Sequence, residues 1–394
     1  MQRVREVLQR GLENGVFPGA VTLVAREGKI VFFEHFGYRS LVPERVPMAR
    51  DTILDVASLT KVFATVPAVM KLVDEGRIAL DDSLSKLIAS ANLGEKNGLT
   101  LRLLLTHSAG LIDWKPFYEK LCDLPRKDRK RLLREWIIEE PFAYEPGKGS
   151  IYSDLGFILL EWMIEEKTGD TLPEFVQKNF YGPLGLKRTL FVPVAEEKNL
   201  PRPLFKKEGN GGKRGGEGVK RGERGPLQGA STEDFAATED CPWRKKVLQG
   251  EVHDDNAWTL GGYSGHAGLF SSAEGIYVMA NMLREHYFGK RTDFYKPETV
   301  REFFRRQDIV KGSDWSFGWD TRALEGSSAG KYFSRDSVGH TGFTGTSIWM
   351  DLEKDVIAIL LSNRVHPKRD NDKIKQFRPV FHDAVMEALG EANA

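Results

Sequence analysis

Strand-like sequence sits at the two ends of this chain and helix-like sequence fills the middle. That placement limits the fold more than any other feature. Residues 20–37, AVTLVAREGKIVFFEHFG, are two β-rich runs flanking REGK, where Gly28 suits a tight turn. TSIWMD (346–351) and DVIAILLSN (355–363) form a second such pair around a short polar turn. Between them, helical patterns are expected over 58–76, over 101–110 with Gly110 as the stop, and over 155–168 with Gly169 as C-cap. An amphipathic helix with Val4, Val7, Leu8 and Leu12 on one face opens the chain. Another, over 373–389 and broken near Pro379, closes it. The expected fold is α+β: an antiparallel sheet assembled from both termini and flanked by helices, with a mainly helical lobe inserted. The 394 residues are enough for two lobes. The boundaries expected are a discontinuous sheet lobe, 1–57 and 260–394, and a helical lobe, 58–259.

Charge and composition exclude several functions. A formal net charge of +1 gives no overall attraction to nucleic acid or to an anionic membrane. No apolar run approaches the roughly 20 residues that span a bilayer. The N-terminus lacks the continuous apolar core of a signal peptide, so a cytoplasmic location is expected. Only Cys122 and Cys241 occur, in no metal-ligand or CxxC spacing, which argues against a disulfide scaffold or a zinc site. The Gly/Lys/Arg/Glu-rich run at about 206–225 has no apolar face to bury and is expected to be a mobile loop. Without interleaved aromatics it makes a poor nucleic-acid arm.

Three short stretches carry chemistry together: Ser58-Leu59-Thr60-Lys61, Tyr152-Ser153-Asp154 and His340-Thr341-Gly342. On a helix, residues three apart share a face, so Lys61 can touch the Ser58 oxygen. A serine hydroxyl needs a base beside it, and lysine or tyrosine serves if its pKa is pulled down. Lys61 beside Tyr152 is expected to lower the phenol's pKa. His340 would do the same if protonated, or would hydrogen-bond if neutral.

These motifs, in this order, resemble the serine β-lactamase and penicillin-binding superfamily. Within it the chain looks most like the class C β-lactamase branch, with family VIII carboxylesterases and D-aminopeptidase-type hydrolases. FPGA (17–20), LLLTHSAGL (103–111), YSDLGFILLE (152–161), GHAGLFSSAEG (265–275) and FGWD (317–320) match as well. The resemblance implies a serine hydrolase that needs no cofactor and acts on a small-molecule ester or amide, β-lactams included as slow substrates. Ser58 would be the acylated nucleophile. Lys61 would hold the proton network, and Tyr152 would be the general base. The backbone N–H groups of Ser58 and Phe343 would form the oxyanion hole. His340 would stand at the first position of a Lys-Thr-Gly motif, with Asp154, Thr341 and Gly342 on the substrate.

Two departures matter. Asp154 stands where the best-known β-lactamases have asparagine, and an ionised carboxylate only accepts hydrogen bonds. His340 replaces a permanent cation that helps recognise a carboxylate. Both turn the expectation away from penicillins and toward esters or neutral amides. A true β-lactamase or D-Ala-D-Ala carboxypeptidase is one alternative, and a non-catalytic penicillin or muropeptide sensor is another. His107 and His266 are read as loop-fixing residues. The VHDDNA segment (252–257), with His253, Asp254 and Asp255, is read as loop organisation rather than a metal site. Asp320 and Trp319 are placed behind the third motif. Trp114, Trp258 and Tyr118 are candidates for an acyl pocket or for packing.

Overall fold

The computed structural model describes residues 1–194 and 231–392, so the 206–225 run lies outside the described residues. Both terminal hairpins form. Strand β1 (Gly19–Arg26) turns through Glu27 and Gly28, both at positive φ, into β2 (Lys29–Ser40). This backbone pairing matches the twist of a two-residue hairpin. Five more strands complete a seven-stranded sheet: β3 (Val46–Pro47), β4 (Asp320–Thr321), β5 (Val338–Gly342), β6 (Thr346–Asp351) and β7 (Val356–Ser362). The order across the sheet is β3-β2-β1-β7-β6-β5-β4, all antiparallel. Ala20 faces Ser362, and the register holds to Arg26 opposite Val356, so the two chain ends meet at the centre.

Alternation sorts the side chains of these central strands into two cores. Ala20 and Val24 of β1, with Ala358 and Leu360 of β7, join Val4, Val7 and Leu8 of helix α1 (Gln2–Glu13). Val21 and Leu23, with Ile357, Ile359 and Leu361, join the larger core that holds the helical part of the chain. Because both faces are covered, these strands read as continuous apolar runs rather than as half-polar ones.

The pattern at 58–76 forms a π-helical turn, Lys61–Thr65, running into helix α2 (Val66–Asp74). Helix α3 (Leu101–Leu105) is shorter than its pattern. It stops at Thr106, and His107 takes a positive φ of 54°, so Gly110 shapes the following loop instead of capping the helix. Helix α4 (Asp154–Thr168) ends on left-handed Gly169 as expected. Helix α5 (Ala273–Tyr287) lies against the sheet. Helix α6 (Ile374–Leu389) runs through Pro379 without the expected break. Proline removes one N–H from a helix interior, but Phe377, Phe381 and Val385 of α6 are packed into the core on both sides of it. No described helix is long and apolar enough to cross a membrane.

Candidate active site

Ser58 follows a strained corner. Ala57 has φ 47°, a left-handed conformation that costs a non-glycine residue about 1–2 kcal/mol. The corner is fastened from several sides. Asp55, buried, accepts from Ala57 N at 2.9 Å and from His253 N at 2.7 Å. Burial raises the Asp55 pKa, and those two N–H groups oppose the rise. From the far end of the chain, the Thr344 hydroxyl donates to Asp55 O (2.7 Å) and the Thr346 hydroxyl to Val56 O (3.0 Å). The serine and glycine motifs are thereby stitched together. Gly342 sits in the seam, where an added Cβ would lie 2.1 Å from Thr346 Oγ1 and 2.5 Å from Val56 O. Gly342→Ala should therefore cost about 1–3 kcal/mol by overpacking, read as a lowered denaturation midpoint.

Lys61 is fully buried. Its Nζ lies 2.7 Å from Asp154 Oδ1, 3.0 Å from Ser58 Oγ and 3.3 Å from His266 O, so all three ammonium protons have acceptors. Burial alone would lower the Lys61 pKa, but the charges and hydrogen bonds of Asp154 and Tyr152 carry it above the ordinary value. The third acceptor is set by Glu161. Its carboxylate takes Ser264 Oγ (3.0 Å) and Gly265 N (2.9 Å) while pairing with Lys130 at 2.6 Å.

Tyr152 precedes α4, whose N-cap Ser153 accepts from Gly156 N. His107 is its support. His107 Nδ1 accepts from Ser153 N at 3.0 Å, its carbonyl takes Ile151 N at 3.0 Å, and its ring lies 4.7 Å from that of Tyr152. Burial and then Lys61 push the His107 pKa well down, so the ring is neutral. Burial raises the Tyr152 pKa; Lys61 pulls it the other way, as expected, without prevailing. His340 adds no charge. Burial, then Lys61, lowers it to about 3, and its Nδ1–H donates to Thr341 O at 2.9 Å. Its Nε2 is buried without a partner among the described residues, and in the neutral ring it is an acceptor.

Ser58, Trp114, Tyr152, Trp315, His340 and Phe343 line a cleft of about 670 Å³. Asp154, Thr341 and Gly342 line it too, so the expected site residues other than buried Lys61 share one cavity. The sequence reading missed Trp315, whose ring stacks on Tyr152 at 5.8 Å and approaches His340 at 6.2 Å. It lies two residues before the FGWD match, which was the available signal. Trp258 is not in the cleft. It is buried edge-on against Trp243. Tyr118 stacks on Trp243 at 5.5 Å, and Trp114 alone of the three candidates reaches the cavity. Trp319 is buried between Phe63 and Phe304.

The VHDDNA segment organises its loop. Asp254 caps a helical turn through Ala257 N (2.7 Å) and pairs with His266 Nε2 (3.1 Å). Burial opposes the His266 charge, but Asp254 and Asp154 raise its pKa above the ordinary value. Asp255 binds Arg244 and Arg369. Among the described residues no group of three or more metal-ligand side chains converges. Both cysteines are buried, and burial pushes the Cys122 thiol up to about 11.

Asp320, on edge strand β4 beside Gly339, faces the cleft with its pKa raised to about 7 by burial, Asp314 adding. A carboxyl with a raised folded pKa takes stability away as the pH climbs from the unfolded value toward the folded one. Asp320→Asn should therefore stabilise the protein by about 1–3 kcal/mol at pH 8. In thermal melts the gap should close as the pH approaches 4.

The sequence profile of the Beta-lactamase family matches residues 4–379. A protein of Escherichia coli (strain K12) named "Putative D-alanyl-D-alanine carboxypeptidase" is 31% identical over 381 residues, covering 91% of this chain and 81% of the relative. A Bacillus subtilis (strain 168) protein named "N-acetylmuramyl-L-alanine amidase" is 27% identical, covering 100% and 89%. Among solved structures, EstCE1, "a hydrolase with promiscuous acyltransferase activity", superposes with a TM-score of 0.70 at 20% identity, covering 98% of this chain and 97% of that one. The octameric penicillin-binding protein homologue from Pyrococcus abyssi superposes at 0.69 with 21% identity, covering 99% and 77%. At these identities the two structures share the fold.

Proposed function

This chain belongs to the beta-lactamase family and is a serine hydrolase, and we propose that it cleaves carboxylic esters or small amides through a covalent acyl-enzyme on Ser58. One observation carries the reading: a buried lysine places an N–H on the Ser58 oxygen while Asp154 and His266 O take its other two protons. An ammonium so occupied holds the nucleophile in place and leaves Tyr152 to accept the Ser58 proton. Attack of Oγ on the substrate carbonyl forms a tetrahedral oxyanion. The Ser58 and Phe343 amides are its donors, and neither is taken by a backbone carbonyl among the described turns and loops. Tyr152 then passes the proton to the leaving group, and water releases the acid. Asp154 acts through Lys61. His340, being neutral, offers an acceptor to a substrate and no positive charge.

A D-Ala-D-Ala carboxypeptidase is the second reading. The E. coli relative's name favours it. Rates on p-nitrophenyl acetate and butyrate, nitrocefin and a D-Ala-D-Ala peptide separate the two. Ester turnover above the other two supports the first reading, and dominant release of D-alanine replaces it with the second. Mass spectrometry after a fluorophosphonate should find Ser58 modified. An unmodified Ser58, with no turnover of any substrate, removes both readings.

A further inference from the structure

Arg378, on α6, is buried and has no carboxylate partner among the described residues. A guanidinium taken out of water without an anion is expensive. What it holds instead is backbone. Its Nη2 donates to Gly342 O at 2.6 Å and to Thr346 O at 2.9 Å, while its Nε has no partner. These carbonyls lie at the β5–β6 turn, where the strand from the glycine motif passes the serine corner.

The Gly342 carbonyl belongs to the same peptide unit as the Phe343 N–H. In a trans peptide the two point in opposite directions across one plane. A cation on this carbonyl, beside the Gly345 N–H that it also accepts at 3.0 Å, reinforces the direction of the Phe343 N–H and draws electron density away from it, which makes it a stronger donor. The next peptide is held as well: Arg364 Nε donates to Phe343 O at 2.7 Å, and the Arg364 guanidinium lies 4.4 Å from the Phe343 ring centre. The His253 ring stacks on that phenyl at 5.6 Å. Phe343 is half-exposed at the cleft, yet its backbone is clamped on both sides.

We propose that Arg378 is a positioning residue for acyl transfer, orienting and polarising the Gly342–Phe343 peptide so that its N–H serves the oxyanion. This rests on the reading above that the Phe343 amide is one of the two oxyanion donors. It explains why a helix from the far end of the chain carries a buried charge to a turn that two threonines already tie to the serine corner. Binding of the neutral substrate would barely feel Arg378, whereas the oxyanion would.

The test uses the full chain with Arg378→Met and Arg378→Lys. For p-nitrophenyl acetate, Arg378→Met should lower kcat about 10- to 100-fold with KM little changed, short of the loss when a whole donor is removed. Inhibition by phenylboronic acid, whose Ser58 adduct is tetrahedral and anionic, should weaken by a similar factor. Arg378→Lys should recover part of both. Infrared spectra of the 13C-acyl-enzyme should show the carbonyl stretch lowered relative to the same ester in water, and raised again in the Lys variant. Unchanged kcat and boronate affinity in a folded Met variant would overturn the inference. If that variant does not fold, a carbonyl band unshifted in the wild type, or shifted equally in the Lys variant, overturns it instead. A wild type whose Ser58 never acylates overturns the serine-hydrolase reading itself, which separates that failure from this one.

Discussion

Tyr152→Phe is expected to lower kcat/KM on p-nitrophenyl acetate by about 10²–10⁴, the usual worth of a positioned general base. The assignment follows from elimination among neighbours. Lys61 is an ammonium with every proton engaged, so it donates to Ser58 Oγ and cannot accept from it. His340, at about 3, is too weak a base to hold a proton at neutral pH. His107 is held neutral too, with its Nδ1 occupied by the Ser153 amide. His266 pairs with Asp254. The phenol remains. Because burial raises its pKa above the usual 10, only a small fraction is phenolate at pH 7, and activity should climb with pH through 9. The Phe variant should lack that climb. It keeps the ring packed against His107 and Trp315, so its melting temperature should stay close to the wild-type value. Retention of more than a tenth of the wild-type rate places the base elsewhere.

The elements legible in the sequence were those whose pattern is enforced locally. Residues 20–37 and 346–363 read as hairpins because β1, β6 and β7 are buried on both faces and admit little polar interruption, while the more exposed β2 still carries the β-rich run IVFF after the Gly28 turn. Gly169 read as a helix end because a left-handed cap favours glycine. Pro379 misled because proline's local cost to a helix was outweighed by the aromatic packing of α6, which no local pattern records. The three motifs could be matched, but their electrostatics could not. Whether the Tyr152 pKa ends above or below its ordinary value depends on burial first, and then on Lys61 set against Asp154, which lies 93 positions from Lys61 and 2.7 Å from it. Whether His340 carries charge depends on burial. Arg378 had no signal at all, since an arginine facing a turn's carbonyls looks like any helix-surface arginine until the turn is placed.

Asp154→Asn should change both the pH profile and the stability, in opposite senses. The carboxylate now raises the pKa of Lys61 and also that of Tyr152. Its removal turns a balanced set, ammonium with carboxylate and neutral phenol, into a buried site with one uncompensated positive charge. A proton then leaves Lys61 or Tyr152 more readily, and since the two are coupled the change belongs to the pair. An opposite charge at this distance is worth about 1–3 pKa units. The alkaline limb of kcat/KM should therefore move at least about one unit toward neutral pH, making the variant roughly tenfold faster at pH 7 on a neutral ester. Stability moves the other way. Breaking a buried pair by removing one partner costs about 3–5 kcal/mol, and the asparagine oxygen, still an acceptor for Lys61, returns part of it. The sign with pH is specific. With its folded pKa raised, Lys61 adds stability to the wild type that is present below 10.5 and fades as the pH passes the folded value. In the variant that contribution is gone, so the stability gap should be wide at pH 7 and start to narrow only above 10.5, by about pH 11.5. Denaturant titrations at the two pH values measure it, and a pH–rate profile measures the limb. An unmoved limb would show that Asp154 does not set the basicity at Ser58, and a gap that stays equally wide at both pH values would show that the cost comes from packing rather than from the stranded charge.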